Sequence, residues 1–539
     1  PDKDQIIYAW QLPDETAQAI PGGIYRGVTT GEVPTFDPVK SSSFTTQVLA
    51  GSVYETLLQF RTGPGFDPTA GLDVDGRLAE SFEITPDAQR VTFKLRPNVR
   101  FHNLPPVNGR VLEIEDWRQS LSRFLAQSPF RATLADLLEG HQYPDERTMV
   151  IALKRPYAPI ARLFTSGAAT FWTLPKEAAD GRMNPDTQAV GTEFRQLDTF
   201  EPSVTWEYKR HPTYWRQDKP YLDRWHYPII PEYAQRAAQF NVGNVYEFTP
   251  RAQEVLVTRK DVPTARTLRT QIGTGWGLMF FGLSGFESAP WRDERVRRAL
   301  SMMIDRGPMR AHFSNSEEYQ AAGLPQDVRW HTHIKGYWTA YWLNPEKDEL
   351  GPASASFKHD PAEAKKLLTA AGYADGFELD FWYTDTPLYG ADHPERCQIT
   401  MDMLQKAGIK IKPNLLEYQA YLSQVYQKRE FKGVAPQPEF TYVDVDLELY
   451  NTYHSAGSRF KSVKDPRVDE LIEAQRRELD EQRRTSLIHD LQKYLAERMY
   501  TIPWDGTASG FTFRSPYLHN SAWPGWNEWI AADAPKRTD

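Results

Sequence analysis

One stretch near the middle of the chain decides the fold: residues 191–248, GTEFRQLDTFEPSVTWEYKRHPTYWRQDKPYLDRWHYPIIPEYAQRAAQFNVGNVYEF. Residues 204–209 alternate between apolar and polar side chains, which is the pattern of a half-buried strand. His211-Pro212 ends this strand, because proline lacks a backbone donor and restricts the residue before it. Alternation resumes over residues 225–229, and residues 232–240 have a helical pattern. The stretch therefore predicts strand, turn, strand, aromatic loop, strand and helix.

Length and composition limit the class of protein. The chain has 539 residues, enough for three or four units of about 150 residues each. Apolar residues make up 40% and charged residues 25%, which predicts a packed core and excludes global disorder. The net charge is -8 with both signs mixed along the chain, which argues against a nucleic-acid partner, because phosphate binding needs a concentrated basic surface. The single cysteine, Cys397, excludes an internal disulfide and a cysteine-rich metal site.

The first residues carry the expectation about cellular location. They read Pro1-Asp-Lys-Asp and are polar, and no run in the chain approaches the roughly 20 apolar residues of a membrane helix. We expect the numbering to begin after a removed export segment, and residues 1–20 to form a polar tether.

The central stretch resembles the signature of the family 5 extracellular solute-binding proteins, the dipeptide and oligopeptide receptors of ABC importers. That signature contains R-N-P-x-Y-W and K-P-Y-L-D, and this chain has RHPTYW at residues 210–215 and KPYLD at residues 219–223. Residues 191–194, GTEF, differ from the G-T-G-P of the family. We interpret the aromatic side chains of the signature as core residues that identify the fold and do not touch ligand.

Further motifs of the same family follow in family order over roughly residues 22–525. They are VYETL at residues 53–57, LAESF at residues 78–82, RVRRALSMMIDR at residues 295–306 and DPAEAKKLLTAAGY at residues 360–373. The first belongs to a predicted helix over residues 48–59. In the last, Asp360 suits a helix N-cap and Gly372 a helix end.

The resemblance implies a fold class and a division into domains. The fold is α/β and periplasmic-binding-protein-like, with two lobes joined by a hinge and an extra α+β domain. The expected parts are the tether at 1–20, lobe I at 21–50, 185–276 and 505–539, the extra domain II at 51–184, and lobe II (domain III) at 277–504.

The resemblance also implies a function, the substrate-binding component of an ABC importer. Such a receptor captures a peptide-sized solute in the cleft between its lobes and delivers it to a membrane ABC permease. A solute that shifts an equilibrium between open and closed forms is sufficient for this task, so we expect no catalytic residues, no cofactor and no metal. We expect a monomer, exported to the periplasm or held at the cell surface as a lipoprotein.

Family order and strand ends together indicate a set of candidate ligand contacts. They are Ser42, Ser43, Phe44, Trp276, Trp382, Tyr383, Thr384, Thr441, Tyr442, Asp444 and Trp504. Residues 382–384 end a strand of an α/β lobe, where ligands gather. The alternatives are an ordinary helix-start loop for residues 42–44 and a core tryptophan for Trp276.

One position bears on the kind of solute. In peptide-binding members of the family, an aspartate three residues before D-P-D holds the peptide ammonium, because a buried ammonium needs an opposite charge. The corresponding residue here is Thr441, and Asp444 and Asp446 fill the D-P-D positions. A neutral threonine beside Trp and Tyr rings favours an oligosaccharide or another neutral, hydroxyl-rich solute, with a peptide as the alternative.

The rival class is an exported glycoside hydrolase, or another secreted enzyme, that uses a pair of carboxylates. The 71 Asp and Glu residues leave such a pair open, although the sequence contains no G-x-S-x-G, H-E-x-x-H or G-K-[ST] motif. His331-Thr-His333 has the spacing of two metal ligands on one strand face, with a surface loop as the alternative. A periplasmic chaperone-like scaffold without a saturable site is a third class.

Overall fold

The computed structural model describes residues 6–535 except 32, 42, 64, 68–72, 168–169, 217, 274–276, 387–388, 390–391, 439–442, 458–463 and 522–526. The chain forms two compact units, residues 1–270 with 511–539, and residues 271–510. The expected separation of domain II from lobe I inside the first unit stays a prediction.

Helices and strands alternate along most of the described chain. The strands are β1 (Ile24–Arg26), β2 (Leu58–Phe60), β3 (Val74–Gly76), β4 (Ala79–Ile84), β5 (Arg90–Leu95), β6 (Leu138–Asp145), β7 (Thr148–Leu153), β8 (Arg195–Glu201), β9 (Thr205–Arg210), β10 (Arg224–Pro228), β11 (Glu247–Phe248), β12 (Arg266–Ile272), β13 (Gly277–Phe281), β14 (Val328–Arg329), β15 (Glu378–Tyr383), β16 (Lys410–Leu415), β17 (Val434–Pro438), β18 (Ile502–Pro503), β19 (Thr507–Arg514), β20 (Leu518–His519) and β21 (Trp529–Ile530). The helices are α1 (Phe44–Val53), α2 (Ile114–Gln127), α3 (Ala132–Ala135), α4 (Ile160–Leu163), α5 (Tyr233–Asn241), α6 (Val255–Asp261), α7 (Glu294–Met302), α8 (Arg306–Ser314), α9 (Ser316–Ala321), α10 (Pro361–Ala370), α11 (His393–Lys406), α12 (Tyr418–Ala420), α13 (Val445–Tyr453), α14 (Pro466–Arg477) and α15 (Glu481–Arg498). This mixed α/β content confirms the predicted fold class.

The central stretch folds as its pattern predicts. β9 and β10 pair antiparallel, with Tyr208 opposite Trp225, inside a sheet ordered β1-β10-β9-β8. Trp206, Tyr208 and Trp225 are buried, because one face of this sheet lies on the core of the first unit. The helix predicted over residues 232–240 is α5, and a second sheet, β4-β5-β7-β6, contains the hairpin around LAESF.

The helix predicted over residues 48–59 is wrong in its position. α1 ends at Val53, and residues 58–60 form β2, which pairs with β3. The physical reason is Glu55, whose fully buried carboxylate accepts from Arg77 Nε at 3.1 Å and from Trp215 Nε1 at 3.1 Å. These long-range bonds draw the chain out of the helix directly after Tyr54.

The same carboxylate explains the family signature of the first unit. Besides the Arg77 and Trp215 bonds, Glu55 accepts from the hydroxyl of buried Tyr214 at 3.4 Å. Arg77 also forms an ion pair with Glu193, the residue that replaces glycine in the G-T-G-P position. The motifs around residues 55, 193 and 214 therefore meet at one buried ion cluster, which agrees with their interpretation as fold-determining residues.

The tether expected at residues 1–20 stays a prediction, and its described part, residues 6–20, contacts the first unit. Arg269 N donates to Ile7 O at 2.8 Å, and the Arg269 guanidinium lies 4.2 Å from the centre of the Tyr8 ring. Leu12 is buried, and Glu15 lies 2.8 Å from His519 Nδ1. The apolar residues scattered through this polar segment attach it to the first unit.

The second unit is built on a five-stranded sheet ordered β16-β15-β17-β13-β18. Its helices bury one large apolar cluster that includes Trp291, Phe357 and Phe381. The predicted ends of α10 are confirmed: Asp360 Oδ1 accepts from Glu363 N at 2.9 Å, and Gly372 follows the helix with a φ of +92°. Among the described residues, no helix has the length and apolar content required to cross a membrane.

Candidate functional site

At one end of the sheet in the second unit, the ends of all five strands lie side by side. β15, β16 and β17 run parallel, and β13 runs antiparallel to both β17 and β18. Gly277 pairs with Pro438, and Leu278 pairs with Pro503, so the amino end of β13 meets the carboxyl ends of its neighbours. We call this the carboxyl edge. Ligands of α/β sheets bind beyond the carboxyl ends of strands.

Three of the predicted contact residues lie together at the carboxyl edge, at the end of β15. Trp382 Nε1 donates to Lys432 O at 2.7 Å, while Tyr383 packs against the large apolar cluster on the opposite face of the sheet. Thr384 is fully buried, and within the part of the chain that the structure describes its Oγ1 has no hydrogen-bond partner. A buried hydroxyl without a partner is costly, which makes this atom a candidate for a hydrogen bond with a bound polar group.

An aromatic cluster beside β15 was not predicted from the sequence. The ring centre of half-buried Tyr389 lies 5.2 Å from that of His393, 5.8 Å from Tyr418 and 6.0 Å from Tyr421. Tyr421 begins a π-helical turn, Tyr421–Gln427, and its hydroxyl donates to Pro436 O at 3.0 Å. Such turns occur frequently at functional sites. The sequence offered no local signal for this cluster, because Tyr389 meets Tyr418 and Tyr421 only in the folded chain.

Trp504 follows β18 at the same edge but is buried in the core. Its Nε1 donates to Thr400 Oγ1 at 2.8 Å, and its ring centre lies 5.7 Å from that of His393. Burial lowers the pKa of His393 to about 4, so the imidazole is neutral at neutral pH. A Cβ on Gly277 would lie 2.5 Å from Trp504 Cε3, which explains the glycine at the start of β13.

Two arginines near the carboxyl edge were also missed by the sequence reasoning. Arg396 forms an ion pair with buried Asp505 and lies 3.8 Å from the centre of the Phe313 ring. Arg429 is buried with its guanidinium 3.6 Å from the centre of the Phe280 ring. With the Gln437 amide turned so that its oxygen faces the guanidinium, Arg429 Nη2 donates to that oxygen at 2.8 Å. Neither arginine belongs to a local pattern, because their partners come from distant elements.

Asp444, another predicted contact, lies inside the second unit. Its Oδ1 accepts from Arg484 Nη2 at 2.5 Å and, as the N-cap of α13, from Asp446 N at 2.8 Å. Asp446 in turn accepts from Gln475 Nε2 at 2.5 Å and lies 3.2 Å from Arg476 Nε. These two carboxylates join α13 to α14 and α15, and a solute contact by Asp444 stays a prediction.

The remaining predicted contacts are divided between the first unit and residues outside the description. Ser43 is half-buried before α1, with its Oγ 3.0 Å from Thr45 Oγ1. Ser42, Trp276, Thr441 and Tyr442 lie outside the described residues, as does the side chain of Phe44. The structure therefore brings together residues 382–384 and Trp504 at the carboxyl edge of the second unit.

The described ranges contain no group of three His, Cys, Asp or Glu residues arranged to hold a metal ion. Of the two histidines with metal-ligand spacing, His333 is buried and its Nε2 lies 3.1 Å from Thr501 O. Burial lowers the pKa of His333 to about 3, so its imidazole is neutral. His333 is thus engaged with the backbone of its own unit.

Comparison with known proteins places the chain in a family. The sequence profile of the bacterial extracellular solute-binding proteins, family 5 Middle, matches residues 73–460. Heme-binding protein A of Haemophilus influenzae is 26% identical over 391 residues, which cover 68% of this chain and 65% of the relative. The dipeptide-binding protein of Escherichia coli is 24% identical over 412 residues, covering 72% of this chain and 70% of the relative.

A solved structure shares the fold. The periplasmic binding protein AgaA of A. tumefaciens R10, in complex with agropinic acid, matches with a TM-score of 0.72 and 20% identity. The match covers 94% of this chain and 99% of that chain.

Proposed function

Because the chain belongs to the bacterial extracellular solute-binding proteins of family 5, we propose that it is the substrate-binding component of an ABC importer. It captures a peptide-sized solute and delivers it to a membrane permease. The exported protein acts as a monomer in the periplasm or at the cell surface. Binding without covalent chemistry is sufficient for this role.

The observation that carries the proposed site is the hydroxyl of Thr384. It is buried at the carboxyl edge, two residues after Trp382 along the chain. Trp382 and the half-buried Tyr389 pack against one small apolar cluster that includes Tyr421. Ligand sites of this kind combine aromatic walls with a few polar groups that fix the orientation of the solute. We assign the hydroxyl of Thr384 to a hydrogen bond with the solute, and the rings of Trp382 and Tyr389 to its apolar surroundings. A solute contact by Tyr383, which packs on the opposite face of the sheet, stays a prediction.

The solute is an oligopeptide or an oligosaccharide-like compound of similar size. The dipeptide-binding relative supports the peptide, and the agropinic-acid complex of the structural neighbour supports a hydroxyl-rich solute. The family resemblance implies an ammonium-binding aspartate at position 441, and the neutral Thr441 found there also favours the hydroxyl-rich solute.

Thermal unfolding of ligand-stripped protein with a panel of solutes tests this function. The panel contains short peptides, di- to tetrasaccharides and opine-like sugar conjugates of amino acids. A solute at 100 times its dissociation constant stabilises the folded protein by about 2.7 kcal/mol, so we expect a clear rise in Tm with one class. A rise with peptides identifies a peptide receptor, and a rise with sugars or opines identifies a hydroxyl-rich solute.

The same panel separates the receptor from the rival enzyme. After incubation at saturating concentration, the stabilising solute is expected to be recovered chemically unchanged. Cleavage of the solute by the purified protein contradicts the receptor and supports a hydrolase with paired carboxylates. A panel without any shift in Tm, at concentrations up to millimolar, contradicts the proposed range of solutes.

A further inference from the structure

A buried carboxyl group lies under the C-terminal end of the chain, within the first unit. Glu528 precedes β21, and β21 pairs antiparallel with β20 through His519–Trp529 and Leu518–Ile530. Ile530 packs in the core of the first unit, and Ala531 N donates to Tyr517 O at 2.9 Å. Glu528 is therefore buried at the start of the C-terminal segment, residues 528–531, which packs on the first unit.

The ionised carboxylate of Glu528 would receive few hydrogen bonds from the residues around it. The guanidinium that pairs with Glu528 belongs to Arg195 of β8, and its Nη2 lies 3.8 Å from Oε2, beyond hydrogen-bond distance. Among the described residues, Oε2 of Glu528 has no hydrogen-bond partner, and neither has Nε of Arg195. Burying an ionised carboxylate without hydrogen bonds raises the free energy of the folded state, whereas burying a protonated carboxyl group does so much less.

A second carboxylate in the same cluster makes the charged form less favourable still. Glu247 of β11 accepts from Arg514 Nε of β19 at 2.9 Å, from the Tyr25 hydroxyl of β1 at 3.0 Å and from Ser521 Oγ at 3.0 Å. Arg514 is thus engaged by Glu247, and Tyr227 of β10 adds only a phenol near Glu528. Ionised Glu528 would share this cluster with the charge of Glu247. Arg195, the Trp225 indole and Arg514 favour the charged form, but together they do not outweigh its burial.

We propose that Glu528 is a proton-operated latch, which holds the C-terminal strand β21 on the first unit more tightly when its carboxyl group is protonated. Opening of the segment exposes Glu528 to water, where the carboxylate is stable. The C-terminal segment is therefore expected to open less often at acidic pH and more often at alkaline pH. This property is independent of solute binding.

The direction of the pH dependence follows from the shift in the pKa of the Glu528 carboxyl group. Burial, followed by the smaller effect of Glu247, raises the pKa of Glu528 from its ordinary value of 4.5 to about 7 in the folded protein, against the lowering effect of Arg195. A group with a raised pKa contributes stability that is complete below its ordinary pKa and is lost as the pH rises through the folded value. The relevant window is pH 5 to 8.

Hydrogen exchange of β21 and Ala531, followed by mass spectrometry on the full chain, tests the latch. After correction for the intrinsic pH dependence of exchange, the opening constant is expected to rise about tenfold or more between pH 5.5 and pH 8. In Glu528→Gln, which resembles the protonated form, the opening constant is expected to change less than about twofold.

His519 requires a matched control because it is the imidazole that contacts β21 directly. It stacks on Trp529 with ring centres 4.0 Å apart and lies 2.8 Å from the Glu15 carboxylate. His519→Gln is expected to keep the wild-type pH dependence. A flat profile in the wild type, a retained dependence in Glu528→Gln or its loss in His519→Gln overturns the proposal. Should Glu528→Gln fail to fold, the profile of His519→Gln decides, with a midpoint near pH 7 expected and a flat profile overturning the latch.

Discussion

Replacing Asp444 with alanine is expected to lower the free energy of unfolding of the second unit by about 3–5 kcal/mol. Both Asp444 and Arg484 are buried, and the carboxylate lies 2.5 Å from Arg484 Nη2. The substitution leaves the guanidinium of Arg484 inside the protein without its main counter-charge and removes the N-cap of α13. The first effect dominates, because loss of an N-cap costs only about 1 kcal/mol.

Urea unfolding measures this loss, and hydrogen exchange locates it in α13 and α15. Asp402→Ala, at an exposed position of α11, serves as the control and is expected to stay within about 0.5 kcal/mol of the wild type. The double variant Asp444→Ala with Arg484→Met is expected to lose less unfolding free energy than the two single variants lose in sum, because neither charge of the pair is left buried without its partner. Strict additivity contradicts the ion pair.

Replacing Glu55 with alanine is expected to destabilise the first unit by about 3 kcal/mol or more. The carboxylate is fully buried and receives donors from Arg77, Trp215 and Tyr214. Arg77 keeps its ion pair with Glu193, which limits the loss, but the indole and phenol donors lose their acceptor. The effect combines a broken ion pair with unsatisfied buried donors.

The same unfolding experiment checks this prediction, with exchange at β2 and β9 as the local readout. Glu83→Ala on the exposed side of the hairpin is the matched control and is expected to be nearly neutral. Glu55→Gln retains the shape and an acceptor oxygen and is expected to lose less than Glu55→Ala. Equal stability of Glu55→Ala and the control contradicts a structural role for the family motif.

Local patterns predicted most elements because they depend on neighbours in sequence. Alternation over residues 204–209 corresponds to β9, and Asp360 with Gly372 limits α10. The helix over residues 48–59 failed at Glu55, because its bond to Arg77 spans 22 residues and leaves no trace in the local periodicity.

The residues of the candidate site were predictable only where a strand end could be recognised in the sequence. Trp382, Tyr383 and Thr384 were found because ligands collect at the ends of parallel strands. Tyr389 and Arg429 were missed because their ring contacts join distant parts of the chain and leave no sequence period. Tyr389 contacts Tyr418 and Tyr421, and Arg429 contacts Phe280. Asp444 was selected from a family motif, but its carboxylate is engaged by Arg484, which lies 40 residues away.

The central claim is that the carboxyl edge of the second unit binds solute through Thr384. Calorimetric titration of Thr384→Val, with the solute that stabilises the wild type, tests it most directly. We expect the affinity to fall about fivefold to tenfold, as for one lost hydrogen bond of about 1 kcal/mol. The unfolding free energy of the unliganded variant is expected to stay the same or rise, because an unpaired buried hydroxyl has been removed.

Thr332→Val provides the opposite pattern as a control. The Thr332 hydroxyl is buried and donates to Gln492 Oε1 at 2.6 Å, so its loss is expected to lower stability and leave affinity unchanged. A Thr384→Val variant that binds the solute as tightly as the wild type contradicts the claim.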